Sequence, residues 1–205
     1  LALLRLATLC TDGEVRMENG KEKAIGDPTE TAIVSCALHH GMDKAALLDE
    51  HPRLGEIPFD SDRKLMSTVY ALHGVPTLLT KGAPDVLLER AVYLREKQGI
   101  RRMTEEDRTE IIEQNQRFSG EGLRVLAFAY RELKESEELT LSGECDYIFL
   151  GLVAMIDPPR AESAAAVADA KRAGIRPVMI TGDHKVTATA IAKQIGIFGE
   201  GDIAL

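Results

Sequence analysis

LGEIPFDSDRKLMSTVYALHGVPTLLT, residues 54–80, holds three short apolar runs, at 54–59, 65–72 and 77–80, split by Ser61-Asp62-Arg63-Lys64 and by His73-Gly74. Runs of this length bounded by turn residues predict consecutive β-strands. Helical patterns flank them. Residues 1–10 carry an apolar stripe of helical spacing that stops at Thr11-Asp12-Gly13. Asp27-Pro28-Thr29-Glu30 predicts a helix start: Asp27 caps, Pro28 suits the first helical position, and Glu30 reaches back as in a capping box. A shorter helix is expected over 44–50. Further on, the pattern predicts a helix over 83–91, a long polar helix over 104–118 opened by Thr104 and Asp107, and strands at 123–130 and 147–156.

Asp157-Pro158-Pro159-Arg160 marks a boundary, because two prolines fit neither a helix interior nor a central strand. Beyond it an Ala-rich helix over 162–173, a strand over 176–180 and a helix reaching 195 alternate as in a parallel, doubly wound sheet. The fold class is therefore read as α+β. An antiparallel sheet flanked by helices occupies 1–150, and a partial α/β segment occupies 151–205.

Composition narrows the function. Lys+Arg 25 against Asp+Glu 33 gives a net charge of −8, which argues against nucleic acid or an anionic membrane surface as partner. A small phosphate ligand needs only a few local cations and stays open. Cys10, Cys36 and Cys145 are far apart and form no CxxC, so they read as free thiols in a reducing compartment, with no metal site expected. The longest uncharged apolar run, 147–156, is about half of the roughly 20 residues a membrane-spanning helix needs. Opening on Leu1 with an immediate helical pattern, the chain is expected to be a piece of a longer protein.

Several short motifs have two readings each. Thr181-Gly182-Asp183 follows an expected strand and precedes a helix, a place where backbone N–H groups favour phosphate; equally, Asp183 caps the helix and Gly182 makes the turn. Lys81-Gly82-Ala83-Pro84 ends a strand and opens a helix, so Lys81 either reaches a phosphate or sits solvated. Phe59, beside Pro58 and before a polar turn, is either a base-stacking platform or a core side chain at a strand end. Ser119-Gly120-Glu121-Gly122 follows a helix and is not a dinucleotide fingerprint, and no GxxxxGK[ST] phosphate loop occurs. The five histidines show no metal-ligand spacing with the cysteines.

Taken in order, GDPTET (26–31), PFDSDRKLMS (58–67), TKGAPD (80–85), GLRVLA (122–127), DPPR (157–160) and TGD (181–183) closely resemble the type II P-type cation-transporting ATPases, calcium pumps above all. The resemblance covers essentially the whole chain. It implies that 1–150 is the nucleotide-binding domain and that 151–205 is part of a phosphorylation domain of haloacid-dehalogenase-like fold. It implies a site for ATP or ADP in which Phe59 stacks on adenine and Glu30 and Met66 line the base pocket. Lys81 and Gly82 close its floor, Lys64 flanks it and Arg124 contacts phosphate. Asp157 belongs to the hinge, and Thr181, Gly182 and Asp183 belong to the catalytic face near the transferred phosphate. Ser61 stands where the family carries an arginine, with Arg63 as a possible substitute cation. The DKTGTLT nucleophile motif and the magnesium motif are absent from these 205 residues. The chain is thus expected to bind nucleotide without forming an aspartyl phosphate. Its expected partners are the pump's other domains, on the cytoplasmic face of a membrane. Two rivals are a haloacid-dehalogenase-like phosphohydrolase, for which no nucleophile strand opens the chain, and a non-catalytic nucleotide-sensing module.

Overall fold

The computed structural model describes residues 2–18, 21–134, 137, 139–156, 159–181 and 185–204. The elements in chain order are α1 (Ala2–Leu9), β1 (Glu14–Glu18), β2 (Lys21–Ile25), α2 (Pro28–His39), α3 (Lys44–Glu50), β3 (Arg53–Asp60), β4 (Leu65–Leu72), β5 (Val75–Gly82), α4 (Pro84–Glu89), β6 (Ala91–Glu96), β7 (Gly99–Arg102), α5 (Glu105–Gly120), β8 (Arg124–Glu132), β9 (Tyr147–Met155), α6 (Ser163–Arg172) and α7 (Lys185–Gln194). They divide into two compact units, one of residues 1–109 and 126–153, the other of 110–125 and 154–205.

Seven strands form one mixed sheet in the order β3-β4-β5-β8-β9-β6-β7, and β1 and β2 form a separate hairpin. The three runs of 54–80 become β3, β4 and β5, paired antiparallel; β5–β8 and β6–β7 are antiparallel too, whereas β6–β9 is parallel. Both hairpins, β1–β2 and β6–β7, go beyond the elements expected from sequence. The architecture is α+β with helices flanking the sheet.

Period-2 alternation sends β4 and β5 side chains to two buried faces. On one, Tyr70 donates its hydroxyl to the Leu9 carbonyl at 2.7 Å, tying the sheet to the end of α1. The other holds Leu65, Leu78 and Tyr147, each fully buried. Burying side chains of this size contributes about 2 kcal/mol each. Helix α2 starts as its sequence dictates: the Asp27 carboxylate accepts from Thr29 N at 2.8 Å and Pro28 occupies the first turn. The helix then turns Thr31, Ile33, Val34 and Ala37 inward.

Helix α5 opens with a reciprocal cap. Thr104 N donates to Asp107 Oδ2 at 2.7 Å and Asp107 N donates to Thr104 Oγ1 at 3.3 Å. Arg101 grips both Asp107 oxygens, at 2.6 and 2.7 Å. The Arg101 guanidinium, aided by the Thr104 amide, holds the Asp107 carboxyl well below the usual carboxylate range. A pKa depressed in the folded state stabilises above the unfolded value and loses that contribution as pH falls through the folded one. Carbon-13 carboxyl titration is therefore expected to find Asp107 still ionised near pH ~3, where an ordinary aspartate is mostly protonated. A midpoint near ~4 would show the Arg101 fork to be absent in solution.

In the second unit, α6 and α7 form as expected, but the strand expected over 176–180 does not. Residues 175–181 carry no regular structure, and Val178 and Ile180 are 73% and 94% exposed. A parallel strand is held by ladder partners on its neighbours, and among the described residues none pairs with this segment. Ile175 and Ile203 are likewise exposed, so this unit presents apolar side chains to solvent.

Candidate nucleotide site

Four of the expected site residues meet at one end of the sheet because of strand register. Met66 pairs with Lys81 and Leu65 with Gly82, while Lys81 and Gly82 pair on their other side with Phe128 and Ala127. Lys64 precedes Leu65 directly. On the edge strand β3, Ile57 pairs with Ser67 and Asp60 with Leu65, so Pro58 and Phe59 occupy a register shift between them. Pro58 has no N–H to offer a ladder and suits such a place. A bulge re-aims its side chains. Here the Phe59 ring is 62% exposed, which rules out the core reading of this residue.

The turn after Phe59 is tightly held. Asp60 Oδ1 accepts from Asp62 N at 3.1 Å and from Arg63 N at 2.8 Å, and the Asp60 carbonyl accepts from Lys64 N at 2.7 Å. Lys64 closes the turn at φ +57°, with its side chain exposed. Its carbonyl faces Gly82 so closely that a Cβ there would lie 2.2 Å from the oxygen. Gly82 is thus fixed by the approach of Lys64 and Leu65. The Lys64 carbonyl also accepts from Ala83 N at 3.1 Å, which joins the turn to the start of α4.

Glu30 does not close the capping box expected of it. Its Oε2 accepts from the amides of Asp12 and Gly13, at 2.9 and 2.8 Å, and its Oε1 pairs with the Lys81 ammonium. A partner 51 residues away outcompetes the local N-cap amide, because a charge-assisted bond to a largely buried ammonium is worth more than a solvated one. Lys81 is 6% exposed and Met66 is buried beside it, so both lie in the floor of this sheet end. Burial also raises the pKa of the neighbouring Cys10 thiol, the nearby Lys81 charge opposing it. The floor is therefore electrically closed: one carboxylate, one ammonium and two amides satisfy each other.

Arg63 is likewise engaged inward. Its guanidinium donates to Glu144 Oε1 and to the Pro58 carbonyl, each at 2.5 Å. Glu144 is 2% exposed and had no signal in the sequence; it sits in the irregular stretch before β9. Its carboxylate also accepts from Ser67 Oγ at 2.5 Å and Arg90 Nη1 at 3.3 Å. Ser67 bonds Thr80 at 2.7 Å, and Thr80 bonds the Tyr147 hydroxyl at 2.7 Å. Burial, the largest influence, pushes the Tyr147 phenol well above the usual tyrosine range.

The remaining expected residues belong to the second unit or fall outside the described residues. Arg124, at the start of β8, is exposed and belongs to the second unit. Thr181 is exposed in that unit and lines an open groove of about 760 Å³ with Lys185, Val178 and Phe198. Asp157, Gly182 and Asp183 lie outside the described residues. Among the described residues no group of three or more His, Cys, Asp or Glu side chains could hold a metal ion. The donors among the described residues do not gather into a magnesium site. No helix among the described residues is long and apolar enough to cross a membrane.

Comparison with known proteins gives the family. The family described as P-type ATPase, cytoplasmic domain N, matches residues 1–162. A calcium-transporting ATPase of Listeria monocytogenes is 45% identical over 204 residues, covering 99% of this chain and 23% of that protein. Calcium-transporting ATPase 1 of Lactococcus lactis is 46% identical, with 99% and 23% covered. The sodium/potassium-transporting ATPase subunit alpha-2 of Gallus gallus is 33% identical, with 98% and 21% covered. The chain therefore spans under a quarter of the length of these relatives. With the six ordered motifs and the match over 1–162, the chain belongs to the cation-transporting P-type ATPases, as a piece that contains their cytoplasmic N domain.

Proposed function

We propose that the first unit binds an adenine nucleotide by stacking the base on Phe59, and that the whole protein is an ATP-driven cation pump with calcium as its cargo. The observation that carries the reading is the Phe59 ring, 62% exposed on a bulged edge strand. An exposed aromatic face is costly to leave in water and suits a planar base. Lys64 would flank the site. In the pump, the nucleotide's far end would pass to an aspartate outside these residues, so this chain would hold ATP without accepting its phosphoryl group. Calcium is favoured because the bacterial relatives named as calcium-transporting are 45 and 46% identical, against 33% for the sodium/potassium-transporting one.

The test is a calorimetric titration of the chain with ATP and GTP. Replacing Phe59 by alanine is expected to weaken ATP about 10-fold or more, since stacking on an aromatic side chain is worth ~1–3 kcal/mol per base. Equal ATP affinities in wild type and Phe59→Ala would refute the base platform.

A further inference from the structure

The bulge that turns Phe59 outward hangs from a buried charge cluster that nothing in the nucleotide reading requires. The turn backbone after Phe59 is already fixed by Asp60, through its bonds to the amides of Asp62, Arg63 and Lys64. The Arg63 side chain does something separate. One nitrogen holds the carbonyl of Pro58, the residue before Phe59, and the other holds the carboxylate of Glu144. Glu144 in turn is anchored by Ser67 on β4 and by Arg90. Through Ser67 the cluster continues to Thr80 on β5 and Tyr147 on β9. Three strands of the sheet thus brace one guanidinium, whose free fork sets the peptide before the exposed ring. Exposed edge strands are otherwise poorly determined in register, and an aromatic platform stacks well only if its plane is held.

We propose that Arg63 is a positioning residue for Phe59, with Glu144 as its anchor, so that the cluster presets the base platform before a nucleotide arrives. The inference rests on reading Phe59 as that platform. Arg63 makes no phosphate contact in this assignment; its guanidinium already serves two acceptors.

The experiment titrates the full chain with ATP and with adenosine, in wild type, Arg63→Lys, Phe59→Ala and the double variant. Lysine keeps the charge but lacks the fork that spans Pro58 and Glu144. Arg63→Lys is expected to weaken ATP and adenosine by the same factor, roughly 3- to 10-fold, less than the direct loss of one charge-assisted hydrogen bond because the effect reaches the ligand only through the ring. In the Phe59→Ala background the same change is expected to have less than a ~2-fold effect, because its route through the ring is gone. Three results would overturn the proposal: no weakening, weakening of ATP with adenosine untouched (a phosphate contact), or an equal factor with and without Phe59. A Phe59→Ala chain that binds ATP as wild type does would instead sink the platform reading itself. Should Arg63→Lys fail to fold, Glu144→Gln, which keeps Arg63 and removes its anion, is judged by the same ratios.

Discussion

Alanine at position 82 is expected to lower the stability of the first unit by about 3 kcal/mol, the upper range for overpacking a rigid site. The added Cβ would lie 2.2 Å from the Lys64 carbonyl oxygen, 2.6 Å from Leu65 Cδ2 and 3.1 Å from Leu65 Cα. Two of these atoms are backbone and cannot rotate away. Relief requires β4 and β5 to separate at the Leu65–Gly82 pair, or the turn at Lys64 to shift. Either movement also displaces the Ala83 amide from the Lys64 carbonyl, so the start of α4 is disturbed as well. Urea unfolding of Gly82→Ala beside Gly120→Ala checks this. At Gly120 a Cβ meets nothing within 4 Å, and alanine in a helix is intrinsically favoured over glycine by up to ~1 kcal/mol. Equal midpoints for the two variants would contradict the close approach.

The second large effect is expected at Glu144. Replacing it by alanine removes the anion that meets Arg63 and Arg90 and the acceptor of Ser67. The Arg63 side chain is only 10% exposed, so its charge would be left without compensation. Breaking a buried pair from one side costs about 3–5 kcal/mol. The comparison is Glu50→Ala, which breaks an ion pair with Arg5 in which both side chains are exposed; such pairs contribute below ~1 kcal/mol. A midpoint shift at Glu144 no larger than that at Glu50 would mean that Arg63 finds water on losing its partner.

Local chemistry explains what was readable in advance. Strands β3, β4 and β5 follow from apolar runs between turn residues, and α2 and α5 follow from Asp27-Pro28 and from Thr104 with Asp107. Strands β1 and β2 are rich in charge and expose every residue but the half-buried Val15, so no apolar face marks them in the sequence. Strand β6 is a short apolar run, Ala91 to Leu94, directly after a helix, and β7 carries a single apolar residue; both are defined by pairing to each other and, for β6, to β9. Residues 176–180 show the opposite case, a strand-like run that pairs with no strand among the described residues. In the site, strand register brings Lys64, Met66, Lys81 and Gly82 to one sheet end and leaves Phe59 exposed. The partners of Glu30 and Arg63 had no local signal, since they come from 51 and 81 residues away and only tertiary packing brings them together.

The closed electrostatics of the floor have a consequence for how a ligand would be gripped. With Lys81 committed to Glu30 and Arg63 to Glu144, little positive charge at this sheet end faces outward beyond the Lys64 ammonium. A nucleotide on Phe59 would be held by its uncharged end, its polyphosphate reaching into water like a key gripped by the bow. A holder that clasps the handle and leaves the working tip exposed can offer that tip to whatever surface comes to meet it.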